Sequence, residues 1–295
     1  MSPQDREWLE AALDKSRRAE RDFLLVAPQP LPTIAAIDGD CTYLFSRGRL
    51  DRAQASPHGG TAVLPDGQEA PIGPISFASG DAGGYFAMSL PSVWHAAGVT
   101  SEIGLERLMD AVLLHELMHT RQTGLATELL KPLAAAGGIA EDELSDDIVQ
   151  ERFGSDPDYA AAWSEERDLL FAAAAAPGDA EARQLAARAL ELMHARHARW
   201  FEGENTVYRG FDDVFLTMEG MGQWLAYRFL LSPEGGGIPP SQALPAMRRG
   251  GRQWSQDHGL ALLLVVDRLL PGWQQRAFRD PDWRAGRLLA AAVER

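Results

Sequence analysis

The chain changes from short apolar segments to long helical patterns about one third of the way along its length. A helical pattern at the N-terminus runs to about Leu25, and residues 33–91 then contain short apolar runs separated by Gly, Pro and Asp. Five of these runs have the length and the punctuation of strands, namely 33–39, 41–46, 61–67, 74–80 and 84–90. We therefore predict a small, mainly antiparallel sheet with hairpin-like turns at 57–60 and 65–67.

From residue 100 onwards the apolar positions recur with helical spacing almost to the C-terminus. Capping residues and helix-breaking Gly and Pro residues divide this pattern into helices at about 100–121, 145–153, 157–176, 179–200, 212–231, 254–270 and 281–293. Gly124 is expected to end the first of them. The predicted fold class is therefore α+β and mostly α. Residues 1–99 form an N-terminal helix and the small sheet, residues 100–295 form a helical metal-binding part, and the two make one compact unit.

Composition and charge exclude several classes of protein. The formal charge of −14 argues against a protein that binds nucleic acid or an anionic membrane surface. The longest apolar run, 259–266, is far shorter than the roughly 20 residues of a membrane-spanning helix. The N-terminus is too acidic for an export signal, so we expect a soluble cytoplasmic protein, or an exported one if a signal peptide was trimmed. Because Cys41 is the only cysteine, any metal ion is held by His, Asp or Glu.

The closest grouping of potential metal ligands lies in the first long helical pattern after residue 100. His115, Glu116 and His119 form a His-Glu-x-x-His motif. At about 3.6 residues per turn, the two imidazoles share one face of the helix and Glu116 projects beside them. Apolar residues surround the motif, so these polar groups are costly to bury unless a metal ion or hydrogen bonds satisfy them. The pattern is typical of a zinc site with a glutamate base, and the alternative is a pair of hydrogen-bonded core histidines.

The motif resembles that of the zincin metallopeptidases, and within them the gluzincin branch, in which a glutamate on a second helix is the third zinc ligand. The other major branch continues with Gly and His, and here Gln122 and Leu125 occupy those places. Residues 217–224, Thr-Met-Glu-Gly-Met-Gly-Gln-Trp, are similar to the run that carries the gluzincin glutamate. The resemblance covers these two short patches. It implies a zincin-like fold, Zn²⁺ as cofactor, Glu219 as third ligand, and a peptide or small amide as substrate.

The spacing of the third ligand departs from the family pattern. In familiar gluzincins the glutamate follows the second histidine much more closely than Glu219 follows His119. The alternatives that stay open are Glu141, Glu143, Glu165 and Glu166. If Glu219 is the ligand, residues 125–210 are a helical insertion that shapes the cleft.

Several further residues are candidates for supporting roles. Tyr208 is the first choice for the hydrogen-bond donor to the oxyanion of the tetrahedral intermediate, followed by Tyr227 and His258. Residues placed to orient a metal ligand are Gln122, Asp212 and Gln223. His194 and His197 are predicted to lie on a solvated helix face and not to form a second metal pair.

The strand at 83–89 is the best candidate to border the cleft. In zincins an edge strand upstream of the metal helix pairs with the extended substrate backbone. Aminopeptidase-type gluzincins carry an acidic anchor for the substrate amine there. This strand has no acidic residue after Met88, which weighs against an aminopeptidase.

The sequence therefore predicts a zinc-dependent hydrolase, most closely a metallopeptidase. His115, His119 and Glu219 hold the ion, and Glu116 is the general base. The alternative from another class is a non-catalytic helical binding protein with a vestigial or structural metal site. The oligomeric state is left open.

Overall fold

The structure is a computed structural model that describes residues 1–27, 29–79, 84–140, 143–248 and 252–294. In it the chain divides into two compact units. The sheet unit comprises Met1–Thr123 and Leu225–Met247, and the helical unit comprises Gly124–Trp224 and Arg248–Arg295. The α+β, mostly helical class predicted from the sequence is confirmed. Among the described residues, none of the helices has the length and apolarity needed to cross a membrane.

The N-terminal stretch of the sheet unit alternates from helix to strands and back to helix. Its helices are α1 (Pro3–Ala19), which continues as a π-helical turn over Glu20–Leu24, α2 (Pro91–Ala96) and α3 (Leu105–Arg121). Its strands are β1 (Thr33–Ile37), β2 (Cys41–Phe45), β3 (Ala53–Pro57), β4 (Thr61–Val63), β5 (Glu69–Pro71), β6 (Ser76–Ala78) and β7 (Tyr85–Ser89).

The rest of the described chain contains helices and short turns. The helices are α4 (Thr123–Gly137), α5 (Ile148–Phe153), α6 (Pro157–Ala175), α7 (Asp179–Trp200), α8 (Tyr208–Leu231), α9 (Pro240–Met247), α10 (Trp254–Leu269), α11 (Trp273–Ala277) and α12 (Ala285–Val293). The stretch expected to be a helical insertion is therefore occupied by α4 to α7.

Five strands form the main sheet in the order β3-β2-β1-β7-β6, and β4 pairs with β5 in a separate hairpin. The neighbouring strands of the main sheet are antiparallel except β1 and β7, which run parallel from the pair Thr33–Tyr85 to the pair Ile37–Ser89. The sheet is thus mainly antiparallel but mixed. Its central strands are almost wholly buried, because helices and loops cover both faces of their apolar runs.

One of the two predicted hairpin turns is present, the other is not, and one strand was not predicted. The turn at 65–67 joins β4 to β5 as a hairpin, with Gly67 at a φ of 86°, as expected. The turn at 57–60 is not a hairpin, because β3 and β4 belong to different sheets. The segment Ala53–Pro57 forms an exposed edge strand that contains no large apolar residue, so no apolar run marks it in the sequence.

The helix α3 packs on β6 and β7 and on α1. Two ion pairs fix it to α1 on either side of the His-Glu-x-x-His motif. Lys15 Nζ lies 2.6 Å from Asp110 Oδ2, and Arg121 makes a bidentate pair with Glu20 at 2.7 and 2.8 Å. In this division α3 therefore belongs with the sheet, whereas the sequence placed it with the helical part from residue 100.

Three predicted helix boundaries differ from those observed. The metal helix α3 begins only after Gly104, whose φ of 89° is not helical. It ends at Arg121, and Gly124 lies inside α4, where nothing crowds it. The helix α8 begins at Tyr208 and not at Asp212, because the Asp212 carboxylate bonds to α7 and does not cap a helix.

The helical unit is built around α6, α7 and α10, which pack on one another, with α12 against α7 and α10. A buried ionic network lies among them. Arg196 of α7 donates to Glu166 of α6 and to Asp212 of α8, and its third contact is the hydroxyl of Tyr159 at 2.8 Å. Nearly all of this network is hidden from solvent, since the side chains of Arg196 and Glu166 are 0 % exposed.

The helices α8 and α10 touch through glycine backbones. A Cβ added at Gly220 would lie 2.7 Å from the carbonyl oxygen of Gly259 and 2.9 Å from its Cα. The lack of a side chain at Gly220 allows the two helices to approach this closely. It fixes the turn of α8 that carries Glu219.

We expect Gly220→Ala to destabilise the protein by about 1–3 kcal/mol, because the new methyl group meets backbone atoms that cannot rotate away. Urea denaturation measures the change in the free energy of unfolding. Gly124→Ala is the matched control, since a Cβ there meets open space in a helix and is expected to be neutral or stabilising by up to about 1 kcal/mol. Equal stability of the two variants would show that α8 and α10 are not in backbone contact.

Candidate metal centre

The motif residues occupy one face of α3, as the i, i+4 spacing predicts. His115 is buried, with 4 % of its surface exposed, and Glu116 and His119 are partly buried. The Nε2 atoms of His115 and His119 lie 2.9 Å apart. The two imidazoles therefore direct the same ring nitrogen towards a common point.

The protonation of His119 is set by Gln122. The Nδ1 atom of His119 lies 2.9 Å from Oε1 of Gln122. An amide oxygen only accepts hydrogen bonds, so Nδ1 carries the proton and the neutral ring keeps its lone pair on Nε2. This is the orientation that metal-binding histidines need, and it places Gln122 in the supporting position suggested by the sequence.

Glu219 joins the two histidines. Its side chain is buried, with 4 % exposed, and one ligand atom from each of His115, His119 and Glu219 lies within 4.8 Å of the other two. Among the described residues this is the single such set of three His, Cys, Asp or Glu side chains.

The donor set fits zinc. Two nitrogens that share a tetrahedral zinc ion at about 2.0–2.1 Å stand about 3.3 Å apart, so the two Nε2 atoms, now 2.9 Å apart, would separate by about 0.4 Å to hold one. Two imidazoles and one carboxylate are donor types found in catalytic zinc sites.

The other glutamates considered as third ligand are placed elsewhere. Glu166 is fully buried, and its carboxylate contacts Arg196 at 2.8 Å and His258 at 2.9 Å. Glu165 is exposed, and Glu143 is exposed with its carboxylate accepting from the backbone of Ala140. Glu141 lies outside the described residues.

Tyr208, the first choice for the oxyanion donor, does not lie near Glu219. Tyr208 is the first residue of α8, and eleven residues at about 1.5 Å each separate it from Glu219 along the helix axis. Its ring packs against Phe153 and Phe211 in an aromatic cluster. His258 is buried beside Glu166 and Trp163, and Tyr227 is buried further along α8. Tyr208 therefore has no part in the mechanism proposed below.

Two other supporting candidates have partners of their own. Asp212 accepts from Arg196 at 2.9 Å and contacts His197 Nε2 at 2.8 Å. His197 is therefore engaged with a carboxylate and is not a solvated residue, whereas His194 is exposed as predicted. Gln223 is fully buried and donates to Gln256 of α10.

The strand β7 does not offer an edge. It lies between β1 and β6, and its five residues are all buried, so its backbone is already paired on both sides. The prediction that this strand borders the cleft and pairs with substrate is therefore wrong. Gly83, at its expected start, lies outside the described residues.

A second carboxylate near Glu219 was not singled out from the sequence. Burial raises the pKa of Asp147, and the negative charge of Glu219 raises it further. Asp147 sits just before α5, in a segment of acidic residues that looks like a surface loop in the sequence alone. Only the folded chain reveals that it is half-buried and close to Glu219.

Comparison of the chain with protein-family models, with curated proteins and with solved structures finds no match.

We expect Gln122→Ala to weaken zinc binding by about 10–100-fold, because His119 loses the group that fixes its tautomer and ring orientation. Competition with a chromophoric zinc chelator measures the affinity. Gln4→Ala, on an exposed position of α1, is the control and should leave the affinity unchanged. A zinc affinity of Gln122→Ala within twofold of that of the unchanged protein would show that Gln122 does not support the metal centre.

Proposed function

We propose that the protein is a zinc-dependent hydrolase, and within that class a peptidase. The observation that carries the proposal is the convergence of His115, His119 and Glu219, with Glu116 next to the first histidine on the same helix. A purely structural site has no use for a carboxylate in the position of Glu116. The resemblance of both patches to gluzincin motifs supports the same assignment.

In this proposal His115, His119 and Glu219 hold the ion. When bound, zinc lowers the pKa of a coordinated water and polarises the scissile carbonyl. Glu116 accepts a proton from the attacking water at its carboxylate as the water oxygen bonds to the carbonyl carbon. It then gives that proton to the amine nitrogen as the carbon–nitrogen bond breaks. Gln122 keeps the proton of His119 on Nδ1 throughout, so that Nε2 stays a ligand.

The strand β6 is the best candidate for contact with an extended substrate. It is the last strand of the main sheet, α3 packs on it, and within the part of the chain that the structure describes Ser76–Ala78 pair with β7 alone. An extended peptide can add to such an edge through backbone hydrogen bonds. We therefore assign substrate pairing to β6 in place of β7.

A library of internally quenched fluorescent peptides tests the activity. We expect the zinc-loaded protein to cleave members of the library, 1,10-phenanthroline to stop the cleavage, and added zinc to restore it. Cleavage that persists in the chelator would refute a zinc mechanism. Stoichiometric zinc with no cleavage of any peptide would instead support the non-catalytic binding protein.

A further inference from the structure

The helical unit contains a cavity of about 530 Å³ bordered by α7, α8 and α12. Its volume falls in the range of about 300–1,000 Å³ that small-molecule sites occupy. Met193 of α7 and Leu216 of α8 are buried apolar residues in its lining. The cavity therefore offers an apolar surface to a ligand.

The two acidic residues of the lining are already neutralised. Asp212 accepts from the buried guanidinium of Arg196 and contacts His197. Asp213 lies 2.7 Å from Nε of Arg284 and accepts from the backbone N–H of Gly286 at 2.9 Å. Each carboxylate is therefore already paired with an arginine of the protein.

Two arginines of the lining make no ion pair with the described residues. Arg209 at the start of α8 and Arg287 on α12 are both exposed, and both line the cavity. The guanidinium of Arg287 lies 4.5 Å from the ring centre of Trp283, a contact that holds it in place. The cavity thus has a surplus of positive charge in a chain whose formal charge is −14.

We propose that this cavity binds a small organic anion, with a carboxylate or phosphate group on an apolar body. Arg209 and Arg287 pair with the anionic group, because guanidinium groups make charge-assisted and bidentate hydrogen bonds to both. Met193 and Leu216 contact the apolar body. The proposal goes beyond the hydrolase activity and uses none of the proposed metal ligands.

The probe for the test is 8-anilino-1-naphthalenesulfonate, an anion on an aromatic body whose fluorescence rises on binding. N-phenyl-1-naphthylamine is its neutral counterpart. Both are titrated into the full-length protein, into the Arg209→Gln/Arg287→Gln variant, and into an Arg52→Gln/Arg188→Gln control. The control removes two charges from exposed arginines outside the cavity.

We expect about one anionic probe to bind per chain. The cavity variant should bind it roughly tenfold or more weakly, and the control should match the unchanged protein. The neutral probe should bind the three proteins alike. The proposal is overturned if the anionic probe does not bind, if the cavity variant binds it as tightly as the control, or if both probes weaken by the same factor.

Discussion

Replacing Glu116 with Gln is expected to lower kcat/KM by about 10²–10⁴-fold while the protein still binds zinc. The loss is that of a general base, since an amide cannot accept the proton of the attacking water or pass it to the leaving amine. The metal ligands His115, His119 and Glu219 are unchanged, so zinc content should stay the same. Hydrolysis of a peptide substrate and zinc content are measured on the same preparations.

Glu106→Gln is the matched control for this variant. Glu106 lies in the first turn of the same helix and is exposed, so its replacement changes the same charge without touching the motif. We expect its kcat/KM within about twofold of the unchanged protein. Full activity of Glu116→Gln would assign the proton transfer to another group, and loss of zinc in this variant would make Glu116 a ligand.

Replacing Arg196 with Met should destabilise the protein by about 3–5 kcal/mol, because two buried carboxylates lose their shared cation. Burial raises the pKa of Asp212 and of Glu166, but the Arg196 guanidinium outweighs it and holds both pKa values below their ordinary range. Thermal and urea denaturation measure the change. Arg188→Met, on an exposed position of the same helix, should change the free energy of unfolding by less than about 0.5 kcal/mol.

The same network gives a signature in pH. A carboxylate whose pKa is lowered on folding stabilises the protein above its unfolded pKa of about 4, and this stabilisation is lost as the pH falls from that value through the lower folded pKa. In Arg196→Met no guanidinium opposes the effect of burial, which raises the pKa of both carboxyl groups. The loss in free energy of unfolding relative to the unchanged protein should therefore be larger at pH 7 than at pH 4. A deficit that does not change with pH would show that lost packing, and not lost charge pairing, causes it.

Features that depend only on the geometry of a single helix or strand could be predicted from the sequence. The spacing of His115 and His119 fixes their common face, because a helix has one geometry whatever surrounds it. Apolar runs such as 33–39 likewise predict strands, because their length and the Gly, Pro and Asp residues around them are local features.

The parts that were missed depend on pairings between distant segments. The local pattern of apolar residues does not encode strand order, so it does not show that β7 lies inside the sheet. The unbroken apolar run from Tyr85 to Met88 in β7 is the signal that could have shown burial on both faces. The network of Glu166, Arg196 and Asp212 joins three helices, and no spacing within one helix predicts it.

Zinc stoichiometry and affinity of the Glu219→Gln variant test the central claim most directly. The comparison is with the unchanged protein and with Glu165→Gln. Glu165 is an exposed residue of α6 and one of the alternative third ligands named from the sequence. We predict about one zinc per chain for the unchanged protein and for Glu165→Gln. For Glu219→Gln we predict an affinity reduced by more than the roughly 10–100-fold that loss of an outer-shell partner causes. Absence of zinc from the unchanged protein, or equal affinity in Glu219→Gln, would contradict the account.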